Sequence, residues 1–488
     1  MMNKNPNIKL NYLFKLTYQI LCVLIPFVTV PYVSRVLGPE GIGIYSFLQS
    51  LSRYFIIFAS LGTLLYGTRA ISRVRENKVQ LSKTFWEIEL LICSTSTIAC
   101  ILWFCLVFVY PQERSNCLAF LPLILAVPFD ISWFYTGIEK IYYSVIWNFV
   151  SKIIVLVGIF IFVTTKDDLV EYISLLSFSI LIGNVSMWIF LKREICKVKI
   201  AELKVLRHVK PTLKYFITAV AISIYTVLDK TMIGIFTEGS AENGYYEQAT
   251  KVIAMITPFA FTALNDVMIP RMSFLFAKNK FQEIKDRINQ SLNMELLVSI
   301  GCVFGVIAVA PNFVKIFFGE AFMPVVLILQ ILSVILIPIC LSTCTGSHYY
   351  VPSGKVFVGT KFTIVGAIVN VIINAPLIIK FGALGAVIAS LVAETIIGIL
   401  YIRGTLQFLY IKQLITNSLK KILSGLTMLF VIVNLPIGDF TIAFALAIQV
   451  FIGIVIYAVM LLLLKDPSFF MILDFIRQKL NKGKVGNV

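Results

Sequence analysis

Arg53 stands about ten residues into an apolar run, where a guanidinium is out of place unless it meets water or an anion. At 1.5 Å of rise per residue it would lie roughly 15 Å deep. A charge at a helix centre costs about 2.5–3.5 kcal/mol on insertion scales, so it normally faces a cavity or a partner. Ser46, Gln49, Arg53 and Ser60 recur at three- and four-residue steps and share one helix face. Glu247, Lys251, Pro258, Thr262, Asn265 and Asp266 form a similar stripe further on. Arginine holds phosphate through two parallel hydrogen bonds, and a low dielectric strengthens that attraction. The binding candidates are therefore Arg53, Lys251, Gln49 and Glu247, lining a wet cavity suited to an anionic ligand. The structural alternative is bonding between helices, or an ion pair of Glu247 with Lys251 at four-residue spacing.

Carboxylates in such runs can carry a coupling proton or sodium ion, because burial raises a carboxyl pKa into the range where it exchanges protons. Asp130, Asp266 and Glu394 are candidates, with Asp229 (beside Lys230) and Arg271 as further gating positions. Asp229 lies nearer an interface, where a structural role is favoured. Asp266 is close enough to Arg271 for a helix-end cap or a loop ion pair. Asn370 and Asn374 add polar groups. Pro26, Pro128, Pro258 and Pro338 interrupt apolar runs and permit kinks.

The elements that hold these residues are membrane helices. The chain has 488 residues, 59% hydrophobic and 14% charged, with mean hydropathy +0.91. Soluble chains run nearer a quarter charged. The apolar residues fall in blocks of about twenty, the length that crosses a hydrocarbon core roughly 30 Å thick as a helix. Barrel strands would be shorter and alternating. Fourteen spans are expected, over 12–33, 44–66, 85–109, 118–137, 145–163, 169–191, 213–236, 245–268, 291–310, 325–347, 362–379, 384–401, 419–435 and 442–464.

With the N-terminus inside, the alternate connections are rich in Lys and Arg, most densely from Lys192 to Lys214. The outer segments hold only Arg35, Arg114, Lys166, Lys315 and Lys380. This asymmetry predicts an even span count with both termini cytoplasmic, and it accounts for the net charge of +17. Basic segments can also attract anionic lipid at about 1 kcal/mol per cation. The fold class is all-α: a polytopic helix bundle with a six-helix lobe over 1–191 and a basic cytoplasmic linker over 192–212. A second six-helix lobe follows over 213–403, then two further helices over 404–464 and a cytoplasmic tail over 465–488. Two lobes entering from the same side would be parallel repeats. Gly43-Ile44-Tyr45 opening the second span echoes Gly244-Tyr245-Tyr246 opening the eighth.

Other classes fit poorly. No nucleic-acid motif stands out. The nine cysteines show no disulfide or metal-site spacing, and most, including Cys340 and Cys344, read as small core residues. The apolar run after the polar start lacks a small-residue cleavage site, so a retained first helix is expected. His208 and His348 are the two histidines. Neither fits a membrane acyltransferase, and no large outer loop could host polymerase chemistry, so no enzyme and no cofactor are expected.

A resemblance sharpens this. Pro31-Tyr32-Val33-Ser34-Arg35-Val36-Leu37-Gly38-Pro39-Glu40-Gly41-Ile42-Gly43 is similar to the first-loop signature of Wzx-type polysaccharide repeat-unit flippases. Phe129-Asp130-Ile131-Ser132-Trp133-Phe134-Tyr135-Thr136-Gly137-Ile138-Glu139-Lys140 resembles their fourth-helix signature and is the most specific match. Leu228-Asp229-Lys230-Thr231-Met232-Ile233-Gly234, Ile269-Pro270-Arg271-Met272, Pro352-Ser353-Gly354-Lys355 and Phe381-Gly382-Ala383-Leu384-Gly385-Ala386 follow in order, so the similarity covers nearly the whole chain. It implies the multidrug/oligosaccharidyl-lipid/polysaccharide exporter superfamily. The implied substrate is an undecaprenyl-pyrophosphate-linked oligosaccharide, flipped between leaflets of the bacterial cytoplasmic membrane for capsule or O-antigen. It also implies contact with membrane lipid, a proton or sodium counter-ion, and a polysaccharide polymerase partner. Arg53 and Lys251 would hold the diphosphate, while Asp130, Asp229 and Arg271 could instead serve folding. The alternative is a multidrug or ion-coupled small-molecule exporter of the same superfamily, in which acidic cavity residues should outweigh Arg53. A lipid II flippase should carry more cavity arginines.

Overall fold

The computed structural model describes the backbone of residues 8–140, 142–237, 239–436 and 440–485. Side chains are described from Ile25 onward, apart from 141–148, 200, 218, 219, 221, 222, 224–226, 238, 259, 262, 263, 437–439, 475, 476 and 479–488. Every regular element among the described residues is helical. Ten of the helical runs are long and apolar enough to cross a membrane, and the protein is a multi-pass membrane protein. One of the ten, Ile25–Val74, contains the second expected span and the last nine residues, 25–33, of the first. The expected spans over 145–163, 213–236 and 245–268 form helices that are not among the ten. Contacts divide the chain into two compact units, Met1–Gly244 and Tyr245–Val488.

In the first unit α1 (Ile8–Ser60) is two helices joined through Gly38, where φ is +71° and ψ is 178°. Pro39 explains the break. A residue before proline is pushed out of the α region, and glycine accepts positive φ without a Cβ penalty. The proline then starts the next helix, where its missing N–H costs nothing. A second break at Leu61 and Gly62 leads into α2 (Thr63–Val74). The helix α3 (Lys78–Val109) starts about two turns before the expected 85, because Asn77 Oδ1 accepts from the Val79 and Gln80 amides at 3.1 Å.

The expected fourth span is broken into α4 (Arg114–Ala119), α5 (Leu121–Leu125) and α6 (Ser132–Gly137), with Pro128 in the gap before α6. Then come α7 (Tyr142–Phe162), α8 (Leu169–Glu194) and α9 (Val209–Phe236). The aromatic residues of the Phe129–Lys140 motif form the heart of this unit. Trp133, Phe134 and Tyr135 are buried with Ile71, Phe85, Ile88 and Met187. Phe85 stacks on Trp133 with centroids 5.6 Å apart. Each such ring pair adds about 0.5–1.5 kcal/mol beyond burial.

The basic stretch between α8 and α9 is tied down. Lys204 N donates to Glu87 Oε1 at 2.7 Å, and Arg207 pairs with the same carboxylate. Buried His208 sits with Nε2 2.8 Å from Glu87 Oε2 and Nδ1 2.6 Å from the Tyr66 hydroxyl. Within the same unit Gly43 and Gly244 approach closely. A Cβ on Gly43 would lie 1.7 Å from Ser240 O, and one on Gly244 would lie 2.1 Å from Pro39 O.

The helix α10 (Ala241–Thr257) begins in the first unit and runs into the second. A π turn, Pro258–Thr262, separates it from α11 (Ala263–Ala277), as expected where proline removes a backbone donor. Then follow α12 (Phe281–Phe317), α13 (Val325–Ser333), α14 (Leu336–Thr345), α15 (Val356–Phe381) and α16 (Ala383–Thr405). A second π turn, Gly346–Tyr350, extends α14. The unit ends with α17 (Ile411–Val433), α18 (Ile442–Leu463) and α19 (Pro467–Val485). Lys421 of α17 and Asp466, just before α19, form an ion pair with both side chains fully enclosed.

Candidate functional site

A cavity of about 240 Å³ opens inside the first unit, lined among others by Arg53, Ser60, Thr63, Asp130, Trp133 and Asn184. Arg53 comes from the second half of α1, and Ser60 closes that helix by donating to Ile57 O at 3.1 Å. Asp130 comes from the broken segment around Pro128. Its Oδ1 accepts from the Ser132 amide at 3.0 Å, which starts α6. At the break Ala126 O and Phe129 O accept from the Phe129 and Ile131 amides in tight turns instead of α-helical bonds, and α8 supplies each a further donor. Asn184 Nδ2 donates to Ala126 O at 2.9 Å, and Trp188 Nε1 donates to Phe129 O at 3.0 Å. Such repair is what lets a broken helix persist at membrane depth. Among the described residues Arg53 has neither a hydrogen-bond nor an ion-pair partner. Its guanidinium is exposed within the unit and available to an anion.

The stripe expected on α1 divides. Arg53 and Ser60 line the cavity, but Ser46 does not. It is fully buried and donates to Asn243 Oδ1 at 3.3 Å. Gln49 donates to the Tyr45 hydroxyl and is not among the lining residues. In the second unit Lys251 and Glu247 are paired at 3.2 Å, with Glu247 buried. Thr262, on the same expected stripe, lies outside the described side chains. Asp266 is exposed and is not paired with Arg271. That cation pairs with Glu283 at 2.7 Å instead, so the expected Asp266–Arg271 contact is corrected. Glu283, one turn into α12, is the nearer acid across the short connection from α11.

Asp229 is buried, beside Thr231, whose hydroxyl meets Ser50 at 2.9 Å and Tyr54 at 3.1 Å. Asn374 Nδ2 donates to Asn370 Oδ1 at 2.9 Å, and Asn370 Nδ2 donates to Ser390 at 3.3 Å, one turn before half-buried Glu394. Glu87, Glu89 and Glu295, all about 1% exposed, are buried carboxylates that motif and spacing do not single out. The missed signal was plain: a carboxylate inside an apolar run. A second cavity of about 430 Å³, in the second unit, is walled by α12, α17 and α18 around Gly301, Gly305, Met428 and Tyr457. Its walls suit hydrocarbon rather than phosphate.

Comparison with known proteins decides the family. Residues 8–276, more than half of the chain, match the model of the "Polysaccharide biosynthesis protein" family. The chain belongs to this flippase family. It therefore stands with membrane transporters of the multidrug/oligosaccharidyl-lipid/polysaccharide exporter superfamily and not with enzymes. It is similar to the "Putative O-antigen transporter" of Escherichia coli strain K12, 25% identical over 381 residues, covering 77% of this chain and 91% of that protein. The "Probable low-salt glycan biosynthesis flippase Agl15" of Haloferax volcanii is 27% identical over 188 residues, 38% of this chain and 39% of that one. Among solved structures, the inward closed lipid II flippase MurJ superposes with TM-score 0.67 at 18% identity, covering 94% of this chain and 99% of MurJ. An inward-facing MATE family transporter superposes with TM-score 0.62 at 13% identity, covering 79% and 94%. The fold is that of these transporters.

Proposed function

We propose that this protein moves undecaprenyl-pyrophosphate-linked polysaccharide repeat units from the cytoplasmic to the outer leaflet of a bacterial plasma membrane by alternating access. The observation that carries the reading is Arg53. It is a cation without a partner among the described residues, in a cavity whose other polar lining is hydroxyl, amide and one carboxylate. Arginine binds a diphosphate at two points, and hydroxyls and amides suit the first sugar. Kinship with a flippase family and the name of the Escherichia coli relative support the same substrate class. In this reading the chain crosses the membrane fourteen times as two six-helix lobes plus two helices, with both termini cytoplasmic. Cysteines placed beside Lys192 and beside Asp168 should then label from opposite faces.

Lys251 is a second diphosphate contact that Glu247 holds in reserve across their 3.2 Å pair. Gln49 has a supporting place on the α1 face. Asp130, Asp229, Asp266, Glu394 and Arg271 are the coupling or gating positions. Asp130 is best placed, because it shares the cavity with Arg53. A polymerase that takes up the flipped units is the expected partner, and a proton or sodium ion the expected counter-ion.

The test is reconstitution in vesicles with a fluorescent undecaprenyl-pyrophosphate glycan. Appearance of the glycan in the far leaflet supports the proposal, and no transfer above protein-free vesicles refutes it. Asp130 also leaves an ion-coupled small-molecule exporter as a second reading. Efflux of a cationic dye from the same vesicles, without glycan transfer, would favour that one.

A further inference from the structure

Four side chains of the second unit converge in a space that the transport reading does not use. Glu295 comes from α12, Cys340 and Cys344 from α14, and His348 from the π turn that follows. All four are at most 1% exposed. One ligand atom each from Glu295, Cys344 and His348 lies within 4.8 Å of the other two. Cys344 Sγ is 3.3 Å from His348 Nδ1, and Cys340 Sγ is 3.9 Å from Glu295 Oε2.

Two buried polar atoms of this group, Glu295 Oε1 and His348 Nε2, have no hydrogen-bond partner. Buried polar atoms are nearly always paired, so two orphans on one cluster call for an occupant. The π turn is a second pointer, since such turns gather at functional sites.

We propose that Glu295, Cys344 and His348 form a structural site for a borderline-soft divalent metal ion, with zinc the best match and Cys340 beside it on the Glu295 carboxylate. The chemistry of the donors selects the ion. Thiolate and imidazole suit zinc, while magnesium and calcium take oxygen ligands. Metal–sulfur bonds of about 2.3 Å and metal–nitrogen or metal–oxygen bonds of about 2.0 Å give tetrahedral edges of about 3.5 Å. The donors of Glu295, Cys344 and His348 lie within 4.8 Å of one another, near enough for small side-chain rotations to reach that spacing.

Charge fits as well. A dication with one thiolate, one carboxylate and a neutral imidazole is neutral overall, which a buried position requires. Binding displaces the Cys344 thiol proton, and any proton on the Glu295 carboxyl, to solvent. The ion would fasten α12 to the end of α14 and so stiffen the inside of the second unit.

The experiment uses the full-length protein in detergent, stripped with a chelator, reloaded with zinc, desalted and analysed for metal. About one zinc per chain is expected, as for a single site with three protein ligands. Cys344→Ser and His348→Gln should each retain at most about a tenth of it, since even outer-shell changes cost 10–100-fold in metal affinity. Cys302→Ser, on α12 but outside the cluster, should retain all of it. Wild type holding no more zinc than Cys344→Ser overturns the site. Should the variants fail to fold, cobalt loading of the wild type decides alone. Thiolate-to-cobalt charge-transfer bands support the site, and their absence overturns it.

Discussion

Lys421 Nζ lies 2.9 Å from Asp466 Oδ2, and neither side chain reaches solvent. Asp466 has a second task, since its Oδ1 accepts from the Ser468 amide at 3.0 Å and from the Phe469 amide at 3.2 Å. One carboxylate thus neutralises a buried cation and starts α19. Removing one member of a buried pair costs about 3–5 kcal/mol, because the other charge is left alone. Lys421→Met should therefore lower the melting temperature in detergent sharply. The double change Lys421→Met with Asp466→Asn keeps the cap and should recover most of the loss. Equal melting of the single variant and wild type would show that the pair is not buried in the folded protein.

Arg53→Ala should cut glycan export at least about tenfold, since hydrogen bonds to charged groups are worth about 1.5–3 kcal/mol and about 1.4 kcal/mol is tenfold. Expression and elution in detergent should not change, because Arg53 pairs with nothing described that its loss would orphan. Arg53→Lys keeps the charge without the fork and should fall between. Full export by Arg53→Ala, measured as surface polysaccharide, would remove this residue from the mechanism.

His208 should make stability depend on pH. Burial lowers its pKa, and the neighbouring Arg207 charge adds to that, while the Glu87 carboxylate works in the opposite direction. The unfolded chain, with an ordinary histidine near pH 6.5, then binds the proton first. The contribution is present above that pH and declines as the pH falls below it. Melting curves should show wild type losing more stability than His208→Gln between neutral and mildly acidic pH. Parallel curves would mean that folding does not shift the ring's pKa.

Gly43→Ala and Gly244→Ala should each prevent normal folding, because the added methyl would meet backbone oxygen that has no rotamer to retreat into. Overpacking usually costs about 1–3 kcal/mol, and contacts this short belong at or beyond the upper end. Gel filtration of tagged protein checks this, and a monodisperse wild-type-like peak for either variant contradicts it.

Much of this architecture was legible in the sequence. Run length and apolarity give the helices, but the connection expected over 34–43 is helical apart from the kink at Gly38. Arg53 betrayed itself as a charge deep in an apolar run, and it does line a cavity. Three- and four-residue spacing assigned Ser46 and Gln49 to the same stripe, but spacing fixes only a helix face. Which part of the face meets a cavity depends on what packs against it, and Asn243 packs on Ser46. The Gly43 and Gly244 echo read as a repeat, yet the two glycines also touch, which no local pattern shows. The Glu295 cluster was hidden for a similar reason. Its carboxylate lies 45 residues from Cys340, so no short spacing rule could find it.

The size of the Arg53 cavity has a consequence for glycan choice. The cavity measures about 240 Å³ and opens inside one unit only. On the proposed function, a diphosphate and the first sugar would occupy this space, and a repeat unit of several sugars would extend beyond it. Discrimination among polysaccharides then has to arise outside these walls. If so, exchanging its lining for that of a relative with a different glycan should leave serotype preference unchanged.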